Sequence, residues 1–287
     1  CSGSTTEVSM DSSDEGSSPS STAPPQRSVL DQGFVALLAS MGNDLTIVNA
    51  ARVSLGKRKA VFDESDAKLL AYLLAHRHTT PFEHVTFQFH VKCPLFVARQ
   101  WMRHRTWSYN EISRRYTSVD LSVHHPTELR GQGATNRQAS AGTADSALCD
   151  VYGKAVDAAL ATYEALVAAG VCREQARGVL PSAMYTEFYA TVDLHNLLHF
   201  IDLREAPDAQ PEIQVYATAL RELITSVVPQ TMAARAAQGQ RGQLGAPDLG
   251  RSGESPPRPA APQATAQSPP GGRVGSPESR APSHTGR

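Results

Sequence analysis

Residues 83–92 alternate between apolar and polar side chains from His84 onward. Val85, Phe87, Phe89 and Val91 fall on one face, and Thr86, Gln88, His90 and Lys92 on the other. That is the period of a strand with one wet face, which suits an antiparallel sheet. A second strand is expected over 183–192, where aromatic and β-branched residues concentrate. Around these segments the apolar spacing becomes helical. Residues 65–76 carry it behind Ser65, a suitable N-cap. Pro94 opens a helix expected to run through about Arg105, since proline is tolerated in the first turn. Further helices are expected over 144–169, over 173–180 with Pro181 as the stop, from a cap at Asp193 to about Glu205, and over 211–228. There is no internal repeat. Strands mixed with helices, without regular βαβ alternation, argue an α+β fold in which an antiparallel sheet packs with helices.

The ends break this pattern. Residues 1–27 are Ser-rich with no aromatic, the chain from Pro247 on is mostly Pro, Gly, Ser, Ala and Arg, and no aromatic follows Tyr216. Such segments bury too little apolar surface to offset chain entropy. They read as disordered tails, 1–27 and 233–287, flanking one domain over 28–232. The net charge of -1 argues against a general attraction to nucleic acid. Four cysteines without CxxC or metal spacing fit a reducing compartment, and no run is long and apolar enough to be a transmembrane helix.

Charge is concentrated at one place. Arg103, His104, Arg105, Arg114 and Arg115 crowd into residues 103–116, interleaved with Ser108, Asn110, Glu111 and Ser113. Like charges at this density repel, and an anion resolves the conflict, since the guanidinium fork matches phosphate. On a helix Gln100, Arg103 and His104 share a face. Ser113 lacks the strand–turn–helix setting of a hydrolase nucleophile. His76, His78 and His84 make a loose His pattern, but no neighbouring Cys or Asp completes a tetrahedral set, so no metal is expected. The cluster leaves two classes open: a site for a small phosphorylated ligand, or a nucleic-acid-binding module built on 103–115.

Arg103-His104-Arg105, seven residues and then Ser113 is similar to the Arg-His-Arg-x7-Ser motif of the flavin-dependent thymidylate synthases. Pro94–Arg105, Ser108–Glu111, Arg115-Tyr116, Gly42–Leu45, Ala50–Ser54 and Thr80–His84 also resemble that family, over roughly residues 28–230. The resemblance implies conversion of dUMP to dTMP, with methylenetetrahydrofolate as carbon donor and NADPH-reduced FAD as hydride source. It implies FAD contacts from His78, Thr80, Arg103, His104, Arg105, Glu111, Asp193, Leu194, His195 and His199. It implies dUMP contacts from Gln100, Trp101, Met102, Arg103, Glu111, Ile112, Ser113, Arg114, Arg115, Arg177 and Arg204. Arg115 and Arg177 are then phosphate partners, and Arg204 is the catalytic cation at the uracil ring. Some relatives carry Asn and Arg where this chain has Asp193 and His195. A homologue that keeps the fold without turnover is the other reading.

Arg204 lies nine residues after His195, about half a turn round a straight helix at about 100° per residue. One helix therefore does not aim both at one site. Either the helix breaks, or different subunits supply the two residues; the second is the preferred expectation, and members of the resembled family are tetramers. The start Cys1-Ser-Gly-Ser resembles the mature end of a bacterial lipoprotein, but an enzyme using NADPH and folate belongs in the cytoplasm, and that location is the expectation.

Overall fold

The computed structural model describes residues 23–133 and 140–245, with side chains described to residue 238. The expected tails lie for the most part outside these residues. In chain order the elements are β1 (Gln26–Val29), β2 (Gly33–Met41), α1 (Asp44–Arg52), α2 (Glu64–Ala75), β3 (Thr86–Pro94), α3 (Leu95–Trp101), β4 (Ser108–Glu111), β5 (Arg130–Gln132), β6 (Ser140–Thr143), α4 (Ala147–Ala168), α5 (Arg173–Ala176), β7 (Tyr185–Asp193), α6 (Leu194–Arg204), α7 (Pro211–Thr225) and α8 (Pro229–Gly245). Short 3-10 turns follow α1, precede β3 and follow α5.

Five strands form one antiparallel sheet in the order β1-β2-β3-β7-β4, and β5 and β6 form a separate hairpin. The α+β expectation holds. Val85, Phe87, Phe89 and Val91 are all fully buried, as their alternation requires. They meet Trp101, Phe188, Phe200 and Tyr216 in one core. Burying each such side chain stabilises the fold by about 1.5–3 kcal/mol.

Several boundaries differ from the sequence expectation. The cap of α2 is Asp63, not Ser65: its carboxylate accepts from the backbone N–H groups of Ser65 (2.8 Å) and Asp66 (3.2 Å), and Asp66 returns the bond to the Asp63 N–H at 2.8 Å. This is a reciprocal capping box. Helix α3 ends at Trp101 rather than Arg105. The stretch expected to be helical over 173–180 is one α-turn and one 3-10 turn. Strand β1 begins inside the tail assigned to 1–27, and α8 carries helix through residues 233–245.

Asp44 ties α8 to the domain. Its buried carboxylate accepts from the backbone N–H groups of Gln230 (2.8 Å) and Thr231 (3.0 Å) and from the Thr231 hydroxyl (2.6 Å). An acid here satisfies donors in the first turn of α8 that have no partner within the helix, and it complements the positive end of the helix dipole. Asp44→Ala is expected to cost about 2–4 kcal/mol and to lower the melting temperature by roughly 5–12 °C. Thermal unfolding checks this, and an unchanged midpoint would show that α8 is held by other contacts.

Candidate active site

The Arg-His-Arg segment lies on the turn that follows α3. The Tyr109 hydroxyl shares its proton between the carbonyls of Trp101 (3.2 Å) and His104 (3.0 Å) and so pins that turn to β4. Trp101 is fully buried, packed against Phe188, Phe200 and Trp107, so its side chain belongs to the core. Met102 is half-buried. Arg103 and Arg105 are exposed, and neither guanidinium appears in any hydrogen bond or ion pair among the described residues. Among the described residues they are cations without a counterion.

His104 points the other way. Its Nε2 accepts from the Arg204 Nε at 3.0 Å, and Arg204 also donates to the Gln100 carbonyl at 3.2 Å. Gln100 in turn donates through Nε2 to the Gln210 Oε1 at 2.5 Å. Burial, then the Arg204 cation and His199, pull the His104 imidazole down to about 4. It is therefore a neutral acceptor near pH 7. Burial also lowers the pKa of Arg204.

The His104 ring lies 6.1 Å from that of His199, which leads into a cavity of about 450 Å³ lined by Arg77, His78, Thr79, Phe82, His195 and His199, among others. His78 is brought there by the end of α2. Its N–H bonds the Leu73 carbonyl (2.9 Å), that of Arg77 bonds the Leu74 carbonyl (3.2 Å), and Arg77 sits at φ 55°. This is a Schellman-type turn with arginine where glycine is usual, a strained position of the kind found beside functional sites. Thr80 is exposed at the start of the next 3-10 turn, and its neighbour Thr79 lines the cavity instead. Asp193 caps α6, accepting from the Asn196 N–H at 2.9 Å. Asp and Asn cap equally well, so the departure at this position leaves the helix start intact. Leu194 is buried, its N–H on the Val85 carbonyl at 2.7 Å.

A second polar group stands at the far end of β4. Glu111 accepts from the Thr186 hydroxyl at 2.6 Å, and the Ile112 N–H bonds the Glu187 carbonyl at 2.9 Å. The Ser113 hydroxyl accepts from the Arg115 N–H at 3.3 Å. Arg114 and Arg115 then part company. Arg114 is buried, donating to the carbonyls of Val119, Asp120 and Tyr185, which is a bracing role. Arg115 is exposed, 3.4 Å from Glu174, and that contact brings it to α5. Arg177 follows in the next turn, exposed and without an ion pair or side-chain hydrogen bond among the described residues. No hydrogen bond or ion pair among the described residues joins this group to Gln100, the Arg-His-Arg turn or Arg204. The described residues thus present two sets of polar groups that no hydrogen bond or ion pair joins. Gln210 and Thr79 were not foreseen; Gln210 precedes Pro211 and signals only a helix start.

The sequence model of the thymidylate synthase complementing protein family matches residues 36–230. A flavin-dependent thymidylate synthase of Thermus thermophilus is 51% identical over 207 residues, covering 72% of this chain and 76% of that protein. One from Thermotoga neapolitana is 43% identical over 216 residues, covering 75% of this chain and 96% of that protein. Among solved structures, the UMP/dUMP methylase PolB from Streptomyces cacaoi bound with 5-Br dUMP superposes with a TM-score of 0.66 at 34% identity, over 73% of this chain and 97% of that chain.

The Arg204–His104 bond has a spectroscopic consequence. His104 is expected to titrate near 4, and Arg204→Ala should raise that midpoint toward the ordinary value, because one cation opposing protonation is gone. The sign for stability follows: a depressed imidazole favours the fold above the ordinary histidine range, and that contribution is lost as pH falls from about 6.5 through 4. Histidine NMR titration of the two proteins checks the assignment. A wild-type midpoint of 6–7 would contradict it.

Proposed function

This chain belongs to the thymidylate synthase complementing protein family, the flavin-dependent thymidylate synthases, and we propose that it makes dTMP from dUMP with its own residues in the roles set out below. Methylenetetrahydrofolate gives the carbon and NADPH the reducing electrons. The observation that carries the reading is the Arg204–His104 contact beside the His-lined cavity. It sets a cation for the pyrimidine next to a pocket suited to a flat redox ring. The fit to FAD rests on that cavity together with the two unpaired guanidiniums of Arg103 and Arg105, which suit a diphosphate. When bound, FAD takes electrons from the nicotinamide and supplies a hydride.

His78, His195 and His199 line the ring site, with Thr80 beside it and Asp193 and Leu194 setting the first turn of α6. Arg103, His104, Arg105 and Glu111 complete the FAD contacts. Gln100 through Arg103 wall the nucleotide on one side; Glu111 through Arg115 and Arg177 wall it on the other. Trp101, Leu194 and Arg114 have buried side chains, so their contribution is to shape and main chain. Arg115 and Arg177 hold the phosphate. Arg204, beside the ring carbonyls, favours the electron-rich form of the uracil, because an opposite charge stabilises the ionised state. Cys93 is fully buried, with its thiol raised well above the usual range by burial and by Glu111, which makes it a poor nucleophile.

A homotetramer with sites between subunits accounts for the two separate polar sets. It also accounts for the direction of α6, with His195 at the cavity and Arg204 at Gln100. Exposed Val53, Leu55, Val61, Tyr116 and Leu203 offer apolar surface for such contacts. No helix among the described residues is long and apolar enough to cross a membrane, and NADPH and folate favour a cytoplasmic location.

The two arginines separate by kinetics. Arg177→Ala removes a ground-state phosphate contact and should weaken dUMP binding by roughly ten- to a hundredfold, with a smaller fall in saturated turnover. Arg204→Ala should depress the saturated rate while flavin reduction by NADPH survives, since that half-reaction needs no activated uracil. Steady-state kinetics and anaerobic flavin reduction on both variants decide it. If Arg204→Ala raises only the Michaelis constant, its assigned role is wrong.

A further inference from the structure

Arg204 is the last residue of α6. Helix ends fray, so a side chain that must meet a ring in one orientation stands at the least secure place in its helix. Its head is fixed: Nε donates to His104 and Nη2 to the Gln100 carbonyl. The guanidinium is planar, so these two bonds set the direction of Nη1, which has no partner among the described residues. They do not fix the main chain beneath it.

That chain is held from α7. Glu205, directly after Arg204, accepts from the Thr218 hydroxyl at 2.7 Å and from the Arg221 Nε at 2.9 and 3.2 Å. Gln214 donates through Nε2 to the carbonyls of Ala206 (2.9 Å) and Ala209 (2.8 Å). Ala206–Ala209 is itself a tight turn, closed by the Ala209 N–H on the Ala206 carbonyl at 2.9 Å, with Pro207 in the second position that favours proline. The turn leads to Gln210, which accepts from the Gln100 side chain. Residues 204–210 therefore touch Gln100 at both ends, and α7 holds the middle.

Gln214, Thr218 and Arg221 stand at i, i+4 and i+7, which is one face of a helix. Another face of α7 is anchored in the core through Ile213, Tyr216, Ala217 and Leu220, and the Tyr216 hydroxyl donates to the Lys92 carbonyl of β3 at 2.8 Å. The Glu205–Arg221 ion pair is partly exposed. An ion pair this open adds little stability, because water screens it. What it does fix is position.

We propose that Glu205, clamped by Thr218 and Arg221, is a positioning residue for Arg204: the clamp holds the end of α6 so that Nη1 meets the pyrimidine, and Gln214 keeps the following turn in place. None of these residues belongs to the Arg-His-Arg motif. The inference rests on the reading of Arg204 as the cation at the uracil ring.

The test uses the full-length, flavin-loaded enzyme. Saturated turnover, dUMP KM, anaerobic flavin reduction by NADPH and the His104 NMR titration are compared in wild type, Glu205→Ala, Glu205→Gln, Arg204→Ala and the variant carrying both alanines. Glu205→Ala should lower saturated turnover about tenfold, since a small misplacement of an acting group is costly, with flavin reduction unchanged. A purely structural role would lower both together. Glu205→Gln keeps an acceptor for Thr218 and should recover most of the loss. The double variant should be no slower than Arg204→Ala, because Glu205 acts through Arg204 and coupled sites do not add. The His104 midpoint should rise in Glu205→Ala as the Arg204 cation moves off. Unchanged turnover in Glu205→Ala, or a double variant as slow as the product of the singles, overturns the clamp while the proposed activity stands. If Arg204→Ala turns over like wild type, or wild type shows no dUMP-dependent turnover, the role of Arg204 or the activity itself fails. The His104 midpoint then judges the placement of Arg204 alone: a rise supports it, and no change overturns it. Should Glu205→Ala fail to fold, the isosteric Thr218→Val replaces it; about a threefold loss of turnover is expected for one lost bond, and no loss is fatal.

Discussion

The nine-pair ladder between β3 and β7, from Thr86↔Asp193 to Pro94↔Tyr185, sets the geometry of everything around the Arg-His-Arg turn. The strands are antiparallel, so α3 leaves one end of the ladder after Pro94 and α6 leaves the other after Asp193. The ladder is roughly 27 Å long at 3.4 Å per residue. Seven residues of α3 span about 10 Å and eleven of α6 about 16 Å. The two helices therefore use up the ladder between them, and their C-termini meet. Trp101 lies 4.8 Å from Phe200, ring to ring, at that meeting point. Two helix C-termini brought together juxtapose two negative dipole ends with unsatisfied carbonyls. Arg204, in the last turn of α6, bonds the Gln100 carbonyl of α3 and so supplies the missing cation. The residue proposed to act on the pyrimidine also holds the two helix ends together.

This convergence explains the neutrality of His104. A protonated imidazole beside Arg204 would add a second positive charge in a half-buried place, and the low pKa of about 4 expresses that cost. The Arg-His-Arg motif then has a physical division of labour. Its two arginines are exposed and without partners among the described residues, and its histidine accepts from Arg204. A cation at position 104 would lose the bond to Arg204 and repel it.

Much of this was legible in the sequence, and the misses have specific causes. The alternation of β3 is unambiguous because one face is wholly apolar. Strand β2 was not read because Gly33–Met41 is a nearly continuous apolar run, whose period cannot separate strand from helix. Helix α8 was lost because it is rich in Ala, Gln and Gly with few large apolar residues to set a period, and its anchor, Asp44, lies far away in sequence. The alternatives for α2 differ by two residues because Asp63 and Ser65 are both good caps, and only the reciprocal bond from Asp66 decides. Arg114 and Arg115 look alike in sequence. Only the pairing of β4 with β7, which turns Arg114 inward toward the Tyr185 carbonyl, separates a brace from a ligand.

The half-turn between His195 and Arg204 was also legible, and it is the feature that bears most on assembly. Had both residues pointed to one place, a single chain could have enclosed its ligands. Instead α6 delivers His195 to the cavity beside α2 and Arg204 to the end of α3, while Arg115 and Arg177 lie at α5 and the turn after it. Solvated cations cost little while alone, but a phosphate held by one or two exposed arginines gains little either, because water screens the charge. A second subunit over the site, as proposed, would remove that water and make the same arginines stronger. In the proposed assembly a neighbouring subunit would supply the low-dielectric surroundings that exposed Arg103, Arg105, Arg115 and Arg177 lack in a single chain.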